Sequence, residues 1–154
     1  MRRLHALLEN YSADHVNATN QAIHLVCVPA IVWSVIAALW TVPVPGSLLQ
    51  PGAFAGLVMA VAAAWYFRQS RPLGLGMALA FVLAGASCWW LAGLIGMRGL
   101  LFTAIGVFVL AWIGQFIGHR IEGKRPSFFT DLVYLLVGPA WTLSKLYRRL
   151  GISY

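Results

Sequence analysis

The sequence predicts an all-α, multi-pass membrane helical bundle: four spanning helices, an N-terminal amphipathic helix and a C-terminal re-entrant or interfacial helical segment. Three observations predict it. Of the 154 residues, 60% are hydrophobic and only 10% charged, where a soluble domain carries about a quarter charged residues. Mean hydropathy is +0.78. The apolar residues fall in runs of about twenty, the length that crosses a bilayer core at about 1.5 Å per helical residue. The same composition excludes a disordered chain, a low-complexity fibre and a disulfide-stapled scaffold, since Cys27 and Cys88 both lie inside apolar runs.

Each element follows in order. Leu4, Leu7, Leu8 and Tyr11 share one helical face, so the N-terminal segment is expected to lie on the membrane surface. His5, Glu9 and Asn10 interrupt the apolar run that a signal peptide needs, and His5 and Glu9 are spaced as a surface pair. Residues 22–42 form the first expected span, closed by Pro43-Val44-Pro45-Gly46. Residues 47–67 form the second, in which Gly52, Gly56, Ala60 and Ala64 recur every four residues and predict close helix approach. Residues 73–95 and 99–118 are the third and fourth, separated by a tight Gly96-Met97-Arg98 turn. Residues 128–144 are apolar but carry Asp131 and the helix breaker Gly138-Pro139, which favours a re-entrant or interfacial segment. No soluble domain or linker stands out, and residues 1–154 read as one membrane domain.

The net charge of +7 would suggest nucleic acid in a soluble protein; here it reports orientation. With a cytoplasmic N-terminus and four crossings, Arg2, Arg3, Arg68, Arg71 and Arg120 fall on the cytoplasmic side, together with Lys124, Arg125, Lys145, Arg148 and Arg149. Only Arg98 falls outside, as the positive-inside rule requires. No nucleic-acid partner is expected.

The scarce polar residues carry the chemistry. His15 and His24 flank the start of the first span and His119 ends the fourth, so three imidazoles reach one membrane depth. Asn17, Asn20, Gln21 and His24 share a helical stripe, as do Gln115, His119 and Glu122. Nine residues separate His15 from His24, which on one unbroken helix would place them on opposite faces; a turn at Ala13-Asp14 or Ala18-Thr19 would let them converge. Neutral imidazole is a common transition-metal ligand, and a carboxylate beside imidazoles is the donor mixture of non-haem iron sites. Gly114 and Gly118 are spaced for helix packing. No P-loop, GxSxG, CxxC or HExxH motif is present.

The segment YSADHVNATNQAIHLVCVP (Tyr11 to Pro29) resembles the YxxxHxNxxNxxxHxxxxP signature of the membrane-embedded 2-hydroxy fatty acid dioxygenases, the Mpo-like family of the yeast phytosphingosine-breakdown type. QFIGHRIEGKRPSFFTDL (Gln115 to Leu132) resembles that family's second block, and GPAW (Gly138 to Trp141) extends the match. Glu122 stands three residues beyond His119, where the yeast-like pattern has four, a spacing similar to the bacterial branch. The resemblance implies an Fe(II) enzyme that uses O2 to cleave the C1–C2 bond of a 2-hydroxy fatty acid, leaving an acid one carbon shorter. It implies iron ligation by His15, His24 and His119, with Glu122 in the catalytic group. Asn17, Asn20, Gln115 and Glu122 would orient ligands or substrate, and Lys124 or Arg125 would receive the carboxylate. The acyl tail would lie between helices, among membrane lipids, and headgroup chemistry would select the substrate more than chain length. A bacterial inner-membrane location with both termini and the site cytoplasmic follows. Two other classes use similar residues: a haem-binding electron carrier and a non-enzymatic lipid-binding protein.

Overall fold

A computed structural model describes the backbone of residues 2–46, 49–123 and 131–154, and their side chains except at 2–5, 14 and 131–135. Lys124, Arg125 and the expected His5–Glu9 pairing therefore lie outside the described residues. Five helices, α1 (Arg2–Asp14), α2 (Ala18–Trp40), α3 (Ala53–Gln69), α4 (Arg71–Glu122) and α5 (Asp131–Arg149), carry the fold, with no strand among the described residues. Two of them, Ala18–Trp40 and Arg71–Glu122, are long and apolar enough to cross a membrane. Phe102, Trp89 and Leu110 are each about 70% exposed on the outer surface, a disposition that is unfavourable in water and natural in lipid.

The breaks between helices fall where backbone chemistry requires them. Helix α2 starts at Ala18 because the Asn17 side chain accepts from the backbone N–H groups of Thr19 and Asn20, at 2.9 and 3.3 Å, and so caps the new helix. The turn is thus at 15–17, between the two positions expected. Helix α3 starts at Ala53, later than the span boundary expected, since Pro51 and Gly52 precede it and Gly52 sits at φ 86°. Its close neighbour is the Trp40 ring, which occupies the place a Cβ would take. The expected three-residue turn after the third span shrinks to Gly96 alone, at φ 72° and ψ 169°, a conformation that only glycine adopts readily.

Packing fixes the directions. Trp40 against Gly52 makes α2 and α3 antiparallel neighbours; Met59 near Gly85, with Tyr66 and Phe81 ring centroids 6.4 Å apart, makes α3 antiparallel to residues 71–95. Residues 97–122 run against α2 in the opposite sense, with Gly114 on Cys27 and Gly118 on Asn20. The Gly114/Gly118 pair therefore packs as its spacing suggested. The stripe in the second span does not: only Gly52 makes a close approach, Gly56 faces open space and Ala60 and Ala64 are exposed.

One expectation for the surface elements is corrected. The described apolar face of α1, Leu8 and Tyr11, is buried in the protein rather than laid on lipid. Tyr11 meets Trp141 of α5 edge-on at 5.2 Å. Helix α5 runs unbroken through Gly138-Pro139 to Arg149. A proline removes one backbone bond, and α5 is held instead by a buried stripe of Val137, Ala140, Trp141 and Ser144 and by Tyr66 Oη donating to the Leu136 carbonyl at 2.7 Å.

Candidate metal centre

Because α1 stops at Asp14 and α2 is capped by Asn17, His15 lies in the corner between them and turns back over the first turn of α2. His119, near the end of α4, reaches the same point because α4 runs antiparallel to α2 there. The ring centroids of His15 and His24 are 4.4 Å apart, those of His24 and His119 5.1 Å, and those of His15 and His119 5.6 Å. One ligand nitrogen from each lies within 4.8 Å of the others. His15 and His24 are buried and His119 is half-buried.

The hydrogen bonds set the tautomers. His15 Nδ1 lies 2.7 Å from the Tyr11 carbonyl and His24 Nδ1 lies 2.9 Å from the Asn20 carbonyl. Each carbonyl can only accept, so each Nδ1 donates, and in the neutral ring each Nε2 is left with its lone pair. Those two Nε2 atoms face one another at 3.1 Å. Two lone pairs at that distance repel unless a cation lies between them. A proton bridges two nitrogens; a third imidazole on the same point fits a metal ion, with first-row metal–nitrogen bonds of about 2.1 Å. The donor set, three neutral imidazoles beside a small cavity of about 80 Å³ lined by Val28, Ile31, Trp112, Gln115 and Pro139, suits iron, zinc or copper. It does not suit a bis-histidine haem, whose axial nitrogens stand on opposite faces of a macrocycle that this cavity has no room for.

The other expected residues divide. Gln115 lines the histidine cavity. Asn17 is spent on the α2 cap. Glu122 does not join the imidazoles: its carboxylate accepts from Val16 N at 2.9 Å, Asn17 N at 3.1 Å and Asn20 Nδ2 at 2.8 Å. Several N–H donors converging on it mark an ionised carboxylate at a helix N-terminus, where the helix dipole favours negative charge. It thereby fixes the corner that carries His15 and, through Asn20, the turn that orients His24. Asn20 Oδ1 is buried against Gly118 without a hydrogen-bond partner.

Gln21 of the expected polar stripe and three residues that were not expected at the site, Tyr11, Trp141 and Lys145, complete the surround. Tyr11 stacks on His15 with centroids 4.2 Å apart, and Trp141 lies 5.7 Å from His15 while donating to Ser12 Oγ at 2.9 Å. Gln21 Nε2 donates to the His15 carbonyl at 2.6 Å and its oxygen accepts from Lys145 Nζ. Lys145 also sits 4.2 Å above the Trp141 ring. Burial, then the neighbouring Arg148 and Arg149, push its ammonium below the usual lysine range. Tyr11 and Trp141 belong to the blocks YSADH and GPAW, which was their signal in the sequence; Lys145 had none beyond its charge.

An apolar all-helical chain with three histidines gathered at one end of its bundle defines a class, a helical protein with a candidate metal centre. The chain belongs to the 2-hydroxy-palmitic acid dioxygenase Mpo1-like family, whose sequence model matches residues 1–150. It is 28% identical over 152 residues to the 2-hydroxy-palmitic acid dioxygenase MPO1 of Saccharomyces cerevisiae, an alignment that covers 96% of this chain and 82% of the yeast protein. No solved structure matches.

Proposed function

We propose that the protein is an Fe(II)- and O2-dependent dioxygenase of fatty-acid α-oxidation, which cleaves C1–C2 of a 2-hydroxy fatty acid. The observation that carries this reading is the pair of buried Nε2 atoms 3.1 Å apart, with His119 completing the cluster. The yeast relative's name supplies the substrate class. The reaction balances without an external reductant: R–CH(OH)–COOH and O2 give R–COOH, CO2 and H2O.

His15, His24 and His119 would hold the iron, which supplies O2 activation and a seat for the substrate's carboxylate and 2-hydroxyl. The chain's own residues do the rest. Tyr11 and Asn20 carbonyls hold the imidazoles in one tautomer; Glu122 anchors the backbone and the Asn20 side chain behind them; Trp112, Ile31 and Pro139 keep water from the cavity. Gln115, in the cavity wall, would meet the substrate. Lys145, two hydrogen bonds from the His15 carbonyl through Gln21, is a cation for the carboxylate, a role that Lys124 and Arg125 can share.

The protein is read as an integral membrane protein with α2, α3 and the two halves of α4 as its crossings. At 17 residues, α3 is at the lower limit of about 17 for a spanning helix. The clustering of basic residues favours both termini and the site on the cytoplasmic face. The test is to incubate purified protein with Fe(II), O2 and 2-hydroxypalmitic acid and follow products by mass spectrometry. Pentadecanoic acid and CO2 in equal amounts are expected. Their absence from protein that holds stoichiometric iron contradicts the reading.

A further inference from the structure

Beside the histidine cavity lies a second, larger one of about 560 Å³, within the range of roughly 300–1,000 Å³ of small-molecule sites. The two cavities share Val32 and Pro139 in their walls. On α2 the larger one is lined by Leu25, Pro29, Val32, Trp33 and Ile36, a single helical stripe that begins beside His24. Along α2 the stripe rises about 16 Å. Across from it, Ala80 and Ala84 of α4 leave the space that larger side chains would fill. Towards the far end, one turn before Ile36, Trp33 Nε1 donates to Ser87 Oγ at 2.8 Å. Lys145 and Arg149 of α5 line the same cavity and bring positive charge to a largely apolar trough in which Ser87 and Thr142 are the other polar side chains.

We propose that this trough is the alkyl subsite of the enzyme: the substrate's carboxyl end lies at the level of His24, between the histidine cavity and Lys145, and its tail runs along α2 towards Trp33 and Ser87. The proposal rests on the dioxygenase reading for the identity of the occupant. The occupant it selects is an alkyl carboxylate rather than a neutral lipid tail, because the trough joins an apolar length to two cations and adjoins the imidazoles. Transfer of a tail from lipid to this trough changes hydration little. Selection by length is therefore a matter of shape, with the Trp33–Ser87 contact as the stop, and chain length matters more than headgroup chemistry alone would allow.

The experiment compares wild type and Ala84→Phe on 2-hydroxy acids of eight and sixteen carbons. Filling the trough is expected to lower kcat/KM for the sixteen-carbon acid at least tenfold and to change that for the eight-carbon acid less than twofold. An active Ala84→Phe enzyme with an unchanged ratio overturns the subsite. Photolabelling of the wild type with a sixteen-carbon fatty acid bearing a terminal diazirine decides independently of turnover. Label on Trp33, Ile36 or residues 84–87, displaced by 2-hydroxypalmitic acid, is expected. Label spread over outer positions such as Phe102 and Leu110, without displacement, means that bilayer lipid fills the trough and overturns the subsite. If wild type turns over neither acid yet shows displaceable label in the trough, the dioxygenase reading fails and the alkyl site stands.

Discussion

The two ends of α2 are built from different chemistry. At its start, His15, Asn17, Asn20, Gln21, His24 and Glu122 form a network in which side chains bond to backbone groups of a neighbouring turn or helix. At its far end the chain turns through Pro43, Pro45 and Gly52, and the contact that positions α3 is an aromatic ring resting on a glycine. One end spends many polar groups where few exist in the whole chain; at the other, among the described residues, Thr41 Oγ1 donates to the Ala38 carbonyl at 2.8 Å and the helix contact itself is apolar. The difference teaches that helix packing alone positions the apolar end, whereas the polar end is held to a geometry finer than packing requires. Ligands whose orientation is fixed by hydrogen bonds from neighbouring groups are what a metal centre demands.

Substitutions at the two ends should therefore fail in different ways. The largest effect is expected from His24→Ala, which removes the most buried imidazole: metal content measured by elemental analysis should fall to background and turnover with it, while helical circular dichroism stays. Glu122→Gln, which puts an amide where Val16 and Asn17 donate, should weaken metal affinity about tenfold to a hundredfold without touching a ligand; a metal titration checks it. Gly52→Ala should do the reverse. It forces a Cβ into the left-handed region and against Trp40, at about 1–2 kcal/mol for the conformation and more for the clash. Thermal unfolding in detergent should register that loss while the folded fraction keeps its metal affinity. Smallest of all is Gly56→Ala, where a Cβ meets nothing; stability should change by no more than about 1 kcal/mol, in the favourable direction that helix propensity gives.

Local rules made one end of this comparison legible and left the other partly hidden. Apolar run length foretold helices, and the depth of His15, His24 and His119 in those runs foretold their meeting, because a helix converts sequence position into height. It does not convert position into rotation against a neighbour. Glu122 was expected to face the imidazoles from its spacing to His119, but the N-terminus of α2 offers its carboxylate N–H donors that no spacing displays. Asn17 was expected near the substrate, whereas an Asn directly before an apolar helix is equally a cap. The partners of His15 on α5, Trp141 and through Gln21 Lys145, depend on α5 folding back across the bundle. The small-residue stripe of α3 erred for the same reason: periodicity defines a face, and only the packed fold says which face is used.

The central claim is that His15, His24 and His119 hold one metal ion between them. Its most direct test is the iron stoichiometry and affinity of protein purified without chelator and titrated anaerobically with Fe(II), for wild type and for each single His→Ala variant. One iron per chain in wild type, with affinity lost in all three variants, is the predicted result. Wild-type protein that binds no stoichiometric metal, or any of the three variants binding as tightly as wild type, contradicts it.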